Sequence, residues 1–235
     1  MTRTPVAHRG LHGEDIVENS LSAVEAAIEA GYAVEIDFRL TADGGLVLIH
    51  DATLDRTTAE TGPVAAHTLD ALREVTLRGT DEALSSVTDL FALVGGRAPL
   101  FIELKSPPEP SAKAAMAAAI TRALGGYGGA AAVMTFDPDL LGLLRNALPD
   151  TPLGILAGDE SPRASLVSRF GRDAMLHTPR TRPDYIAYYA TALPTLAVTL
   201  KRRKRPVLAW TVRSAAEAAR LAPHVDQIIF EDFRP

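Results

Sequence analysis

Short runs rich in β-branched and apolar residues alternate with amphipathic stretches along nearly the whole chain, and that alternation leaves few folds open. Strand-like runs fall at 5–8, 33–38, 100–105, 132–136, 152–156, 174–177, 207–212 and 227–230. Helical patterns separate them at 20–30, 87–94, 111–124, 138–147, 162–170, 183–193 and 215–221. Parallel strands cannot be joined by a tight turn, so intervening helices point to parallel βα units. Eight such units are the count of a TIM-type (β/α)8 barrel. The rival, an open doubly wound sheet, would carry a glycine-rich phosphate loop after the first strand, and none follows residues 5–8.

A ninth β-like run, 46–50, follows the second across Thr41-Ala42-Asp43-Gly44-Gly45. Asp-Gly between two β-like runs marks a hairpin, so this run is expected antiparallel to the second strand, returning to the barrel rim. From 51 to 86 the βα rhythm stops, and the spacing predicts a small insertion capping one face of a single domain spanning 1–235. Removing it leaves about 200 residues, the lower limit for such a barrel. The chain has no cysteine and a formal net charge of -5. Thiolate nucleophiles and cysteine-ligated metals are therefore excluded, and no basic footprint calls for a nucleic-acid partner. The N-terminal residues lack the apolar core of a signal peptide and no run has the length of a membrane span. The expectation is a cytoplasmic protein without stable membrane insertion.

In a barrel of this kind, chemistry sits at the C-terminal strand ends. There the first run closes on His8-Arg9-Gly10, the second carries Glu35, Asp37 and Arg39 at alternating positions, and the third carries Glu103 and Lys105. The hairpin return ends in His50-Asp51. Carboxylates crowded on inward positions repel one another unless a counter-ion is present. A hard divalent cation, Mg²⁺ or Ca²⁺, held by Glu35, Asp37 and Glu103 meets that need better than a salt-bridge network with Arg39, Lys105 or Arg9. His8 and His50, one on each side, are candidates for paired acid–base work. Arg9 and Lys105 can hold phosphate oxygens, so the set suits an anionic phosphoryl centre.

These residues carry a resemblance. His8-Arg9-Gly10, Glu18-Asn19-Ser20, Glu35-Ile36-Asp37, Thr41-Ala42-Asp43-Gly44, His50-Asp51 and Leu54-Asp55-Arg56-Thr57-Thr58 are similar to the motifs of the glycerophosphodiester phosphodiesterase family. Glu103-Leu104-Lys105 and Trp210-Thr211-Val212 resemble its later strands. The resemblance implies metal-dependent hydrolysis of small glycerophosphodiesters to sn-glycerol 3-phosphate and an alcohol. It implies metal ligation by Glu35, Asp37 and Glu103, acid–base roles for His8 and His50, phosphate contacts from Arg9 and Lys105, and a pocket floor at Trp210. A cyclic phosphate and direct attack by water are equally compatible with these residues, and acid is not distinguished from base. A phospholipase-D-like lyase acting on lysophospholipids and a non-catalytic binding module are the alternatives.

Departures from the family pattern cluster late. Gln227 stands where glycine is usual, and Phe230-Glu231 displaces a threonine; both changes are expected to alter the pocket wall, and hence the substrate, and not the chemistry. Tyr185, Tyr188 and Tyr189, at helical spacing, predict packing or a homodimer contact. Lys201-Arg202-Arg203-Lys204-Arg205 reads as a solvated helix end and His177 as the end of a strand outside the site, while for His12, close to the first motif, a peripheral substrate contact is the minority reading.

Overall fold

A computed structural model of the chain describes residues 4–158 and 178–235. Eight parallel strands close into a barrel: β1 (Val6–Ala7), β2 (Ala33–Leu40), β4 (Leu100–Leu104), β5 (Ala131–Thr135), β6 (Leu153–Ala157), β7 (Tyr185–Tyr189), β8 (Val207–Val212) and β9 (Gln227–Phe230). Closure comes from β1, which pairs in parallel with both β2 and β9. The expected hairpin is present: β3 (Leu46–Leu48) runs antiparallel to the end of β2, with Phe38 opposite Leu48 and Leu40 opposite Leu46.

Helices follow the strands, and polar side chains cap the N-terminus of most of them. Ser20 caps α1 (Leu21–Glu29) by accepting from Ala23 N–H, and Ser86 with Asp89 forms a reciprocal box at the start of α3 (Val87–Val94). After α4 (Pro110–Gly125), Asp137 caps α5 (Pro138–Ala147), whose first residue is a proline pre-set for helix entry. Beyond the short α6 (Thr178–Thr181) come α7 (Leu196–Arg202), capped by Thr195, and α8 (Ala215–Leu221), capped by Ser214.

The two-residue period of the strands sorts their side chains into two layers. Val34, Ile36, Phe38, Leu100, Ile102 and Leu104 pack outward with the helices. Ala33 and Phe101 pack inward with Val6, Tyr185, Leu208 and Ile229. Continuing the inward parity of Ala33 and Phe101 along their strands puts Glu35, Asp37 and Glu103 in the barrel interior, nearer its C-terminal end. At the opposite end lies an apolar cavity of about 510 Å³, lined by Pro99, Phe101, Ala131, Pro152, Tyr185 and Pro206. Inside, the Tyr185 ring lies against Gly154, the residue opposite it in register, where a Cβ would meet the ring at 2.3 Å.

Residues 51–86 hold a short 3-10 turn (Val64–Ala66), α2 (Leu69–Leu72) and a small core of Leu54, Val64, Leu72, Leu77 and Leu84 packed on Val47 and Ile49. Glu82 joins this segment to α1, accepting from the Leu21 N–H at 2.6 Å and from the Ser22 hydroxyl at 2.6 Å.

The structure corrects one stretch of the sequence reading. Residues 183–193 are not a helix: Tyr185–Tyr189 form β7, followed by a 3-10 turn, and α7 comes later than expected. A barrel strand is buried on both faces, so the run Tyr-Ile-Ala-Tyr-Tyr shows no alternation, and three aromatics plus isoleucine favour the strand. Tyr185 and Tyr188 are accordingly buried in the barrel wall. The expected helix at 162–170, the expected strand at 174–177 and His177 lie outside the described residues.

Candidate active site

The first strand leaves the sheet through two consecutive residues with positive φ, Arg9 at 54° and Gly10 at 80°. Gly10 is needed twice over, because a Cβ there would also sit 2.7 Å from the Ala23 backbone of α1. This turn aims the Arg9 N–H at Glu35 Oε2, 2.9 Å away, and the Gly10 N–H at the Glu35 carbonyl, 3.2 Å away. The Arg9 guanidinium reaches Glu18 at 2.7 Å and Asp37 at 3.3 Å.

Glu35, Asp37 and Glu103 form one buried cluster, and each can offer an oxygen within 4.8 Å of the others. Lys105 lies 2.9 Å from Asp37 and 2.5 Å from Glu103. Asn19 clamps Asp37 from both ends, donating to Oδ2 and accepting from the Asp37 N–H, each at 3.0 Å. Arg39, the other expected counter-ion, is spent elsewhere: its Nε donates to the His50 carbonyl at 2.7 Å and holds the hairpin end.

Three carboxyl groups thus face two cations, Arg9 and Lys105, and the shortfall shows in the acidities. Burial, then repulsion from Asp37 and Glu103, pushes the Glu35 carboxyl well above the usual range. Burial also lifts Glu103 to about 7, against the pull of Lys105. Asp37 goes the other way: burial opposes its charge, but Lys105 and Arg9 outweigh burial and hold it well below the usual range. Glu35 Oε1 is buried and has no hydrogen-bond partner among the described residues. An oxygen-only donor set, one carboxyl oxygen without a partner, and two carboxyls whose ionisation the two cations do not sustain fit a hard divalent cation, so these three residues could hold one.

Two imidazoles flank the cluster, and each is gripped at Nδ1 by a carboxylate. His8 donates to Glu231 Oε2 at 2.5 Å, and His50 to Asp51 Oδ1 at 2.7 Å. A carboxylate acceptor at Nδ1 calls for the Nδ1–H tautomer and leaves Nε2 as the free lone pair of the neutral ring. Burial lowers the pKa of both rings, partly offset by Glu231 at His8 and by Asp37 at His50, so both are neutral near pH 7. Asp51 is itself held at about 2, chiefly by hydrogen bonding from Arg56. Arg56 also grips Glu18 at 2.7 Å through both terminal nitrogens, linking the inserted segment to Arg9.

Trp210, near the end of β8, meets Phe136 edge-on at a centroid distance of 5.3 Å and Tyr189 at 5.4 Å. Its indole Nε1 is buried without a hydrogen-bond partner among the described residues. Every expected site residue among the described residues is thus near the C-terminal strand ends. Sequence reasoning gave no role to Asn19, Glu18 or Arg56, although all three stand inside the motifs it singled out. It also missed Phe136, Tyr189 and Glu231. Glu231 was expected to alter only the pocket wall, yet it lies against the His8 ring.

Comparison with known proteins gives the fold and the family. A solved glycerophosphodiester phosphodiesterase from Thermotoga maritima superposes with a TM-score of 0.74 at 25% identity, covering 97% of this chain and 94% of that one. An Oleispira antarctica phosphodiesterase, solved with its product sn-glycerol-3-phosphate, has a TM-score of 0.82 at 21% identity, covering 97% of this chain and 92% of that one. The glycerophosphodiester phosphodiesterase of Caldanaerobacter subterraneus subsp. tengcongensis is 36% identical over 109 residues, 43% of this chain. That match spans 44% of the relative's length, under half of it. The model of the glycerophosphoryl diester phosphodiesterase family matches residues 8–233, so the chain belongs to that family.

Proposed function

We propose that this protein is a divalent-metal-dependent hydrolase that cleaves glycerophosphodiesters to sn-glycerol 3-phosphate and an alcohol. The observation that carries the reading is the bare, charge-deficient Glu35–Asp37–Glu103 cluster between two imidazoles, each fixed at Nδ1 by a carboxylate. The product bound by the Oleispira phosphodiesterase, sn-glycerol-3-phosphate, is the product this reading assigns. In this reading residues 1–235 act as one unit, with 51–86 as a cap that carries Asp51 and Arg56 to the site.

Glu35, Asp37 and Glu103 would hold the cation, Mg²⁺ or Ca²⁺. Bound there, it would supply Lewis-acid polarisation of a phosphoryl oxygen. Arg9 and Lys105, already among the carboxylates, would meet the phosphate oxygens, and Trp210 with Phe136 and Tyr189 would hold the glycerol part. One imidazole would take the proton of the attacking group, a water or the substrate's own glycerol hydroxyl, at Nε2, and the other would deliver a proton to the departing alkoxide; where the glycerol hydroxyl attacks, water must then open the cyclic phosphate to give glycerol 3-phosphate. With both rings neutral at rest, the proton gained by one histidine must be matched by a proton drawn in through the other. Each resting Nε2 suits the base, and the acid must be charged first, so activity should fall as pH rises through the lowered pKa of the acid histidine.

The test is an assay coupled to glycerol 3-phosphate over a panel of diesters, with EDTA and then Mg²⁺, Ca²⁺ or Mn²⁺. Loss of activity with EDTA, recovery with metal, and a drop of about 10²-fold or more in His8→Ala and His50→Ala are expected. Turnover unaffected by EDTA would sink the metal role, and near-normal turnover in both variants would sink the histidine pair. A cyclic phosphate persisting in the phosphorus NMR spectrum would favour the lyase instead.

A further inference from the structure

We propose that Glu231 is the positioning residue for His8, fixing the tautomer and ring orientation that the reaction needs. The inference rests on the acid–base role given to His8 above and extends it to a residue that departs from the family pattern.

The two residues are brought together by the seam that closes the barrel. Ala7 pairs with Phe230 across β1 and β9, and the His8 N–H continues that ladder to the Phe230 carbonyl at 2.9 Å. On the other side the Glu231 N–H donates to the Val212 carbonyl at the end of β8, 3.1 Å away. Both backbones are therefore anchored, and the contact joins side chains 223 residues apart without depending on a free loop. Oε2 accepts from His8 Nδ1 at 2.5 Å, while Oε1 is paired with the Arg213 guanidinium at 2.5 Å. His12 Nε2 stands 3.8 Å from Oε2 on the remaining side. The Glu231 side chain is only 12% exposed, so a full charge there is held by these partners and not by water.

Such a carboxylate can do two things for an imidazole. It locks the proton on Nδ1, leaving Nε2 as the reactive nitrogen, and it stabilises the imidazolium formed once Nε2 takes a proton. Arg213 occupies the second oxygen and keeps the carboxylate from rotating away. His8, His12 and Glu231 also have the composition of a metal site. The Nδ1–Oε2 approach is too close for a shared ion, since metal–ligand bonds of about 2.0–2.2 Å would hold the two atoms more than about 3 Å apart. His50 has its own carboxylate in the adjacent Asp51, so the chain supplies one orienting acid per imidazole, one local in sequence and one from its far end.

The decisive measurement is the tautomer of His8, read from long-range proton–nitrogen correlations on ¹⁵N-histidine-labelled protein, with the signal assigned by its loss in His8→Asn. The wild type should show the Nδ1–H form. Glu231→Ala should shift His8 toward Nε2–H, and kcat should fall about 10- to 100-fold, as for lost outer-shell partners elsewhere, with KM nearly unchanged. Glu231→Gln, which keeps an acceptor oxygen and the side-chain volume, should retain the tautomer with an intermediate kcat; it also covers the case in which the alanine variant does not fold. An Nε2–H form in the wild type, or a tautomer indifferent to both substitutions, overturns the inference. The tautomer is measured without substrate, so a failure of the diester-hydrolase reading would show separately, as absence of turnover across the panel.

Discussion

Glu103→Gln should change how stability varies with pH, and the size of the change follows from the cluster. In the metal-free fold the Glu103 carboxyl is raised to about 7 from 4.5, first by burial. A folded-state pKa above the unfolded one means that the fold binds the extra proton. The contribution is therefore fully present below pH 4.5 and is lost as pH rises through about 7. Some two and a half pH units at about 1.4 kcal/mol each make a loss of about 3 kcal/mol. For 235 residues with an unfolding entropy of about 2.1 cal/mol/K each, that is roughly 6 °C in Tm. Glutamine mimics the protonated acid at every pH. In EDTA the variant should come within about 1 kcal/mol of the wild type at pH 5 and unfold about 6 °C higher at pH 8. The difference between the two proteins is the quantity to read, because His8 and His50, with lowered pKa values, contribute slopes of opposite sign. Thermal unfolding from pH 5 to 8 measures it directly. A constant offset between the two proteins at all pH values would refute the reasoning. Saturating Mg²⁺ should then stabilise the wild type at pH 8 by about 2.7 kcal/mol at a hundred times Kd, and the variant much less.

Other outcomes follow from single contacts. Gly154→Ala places a Cβ inside the Tyr185 ring and should cost about 1–3 kcal/mol in urea unfolding, whereas Gly142→Ala, in open space on α5, should not destabilise. Trp210→Phe keeps the aromatic contacts but deletes the unpartnered indole N–H, so KM for a glycerophosphodiester should rise with little change in Tm. Arg56→Ala breaks the link between Asp51 and Glu18; kcat should fall about tenfold, while isolated surface pairs such as Arg73–Asp89 should be worth less than about 1 kcal/mol when broken.

Much of this molecule is legible along the chain because its signals are local. The Asp43-Gly44 hairpin, the Ser20, Ser86 and Asp137 caps and the alternation that sends Glu35 and Asp37 inward depend on neighbours a few residues away. The same is true of the acidic cluster, since inward parity on adjacent strands β2 and β4 brings Glu103 opposite Asp37. Tertiary structure decided what those rules leave free. The run Tyr185–Tyr189 is a strand because the barrel offers it a slot between β6 and β8 that buries both its faces. Arg39 turns to the hairpin while Arg9 and Lys105 enter the cluster, a choice made by which acceptors lie within reach once the strands are assembled. Glu231 reaches His8 only because the last strand closes on the first, and no local pattern records a contact made by closing a ring.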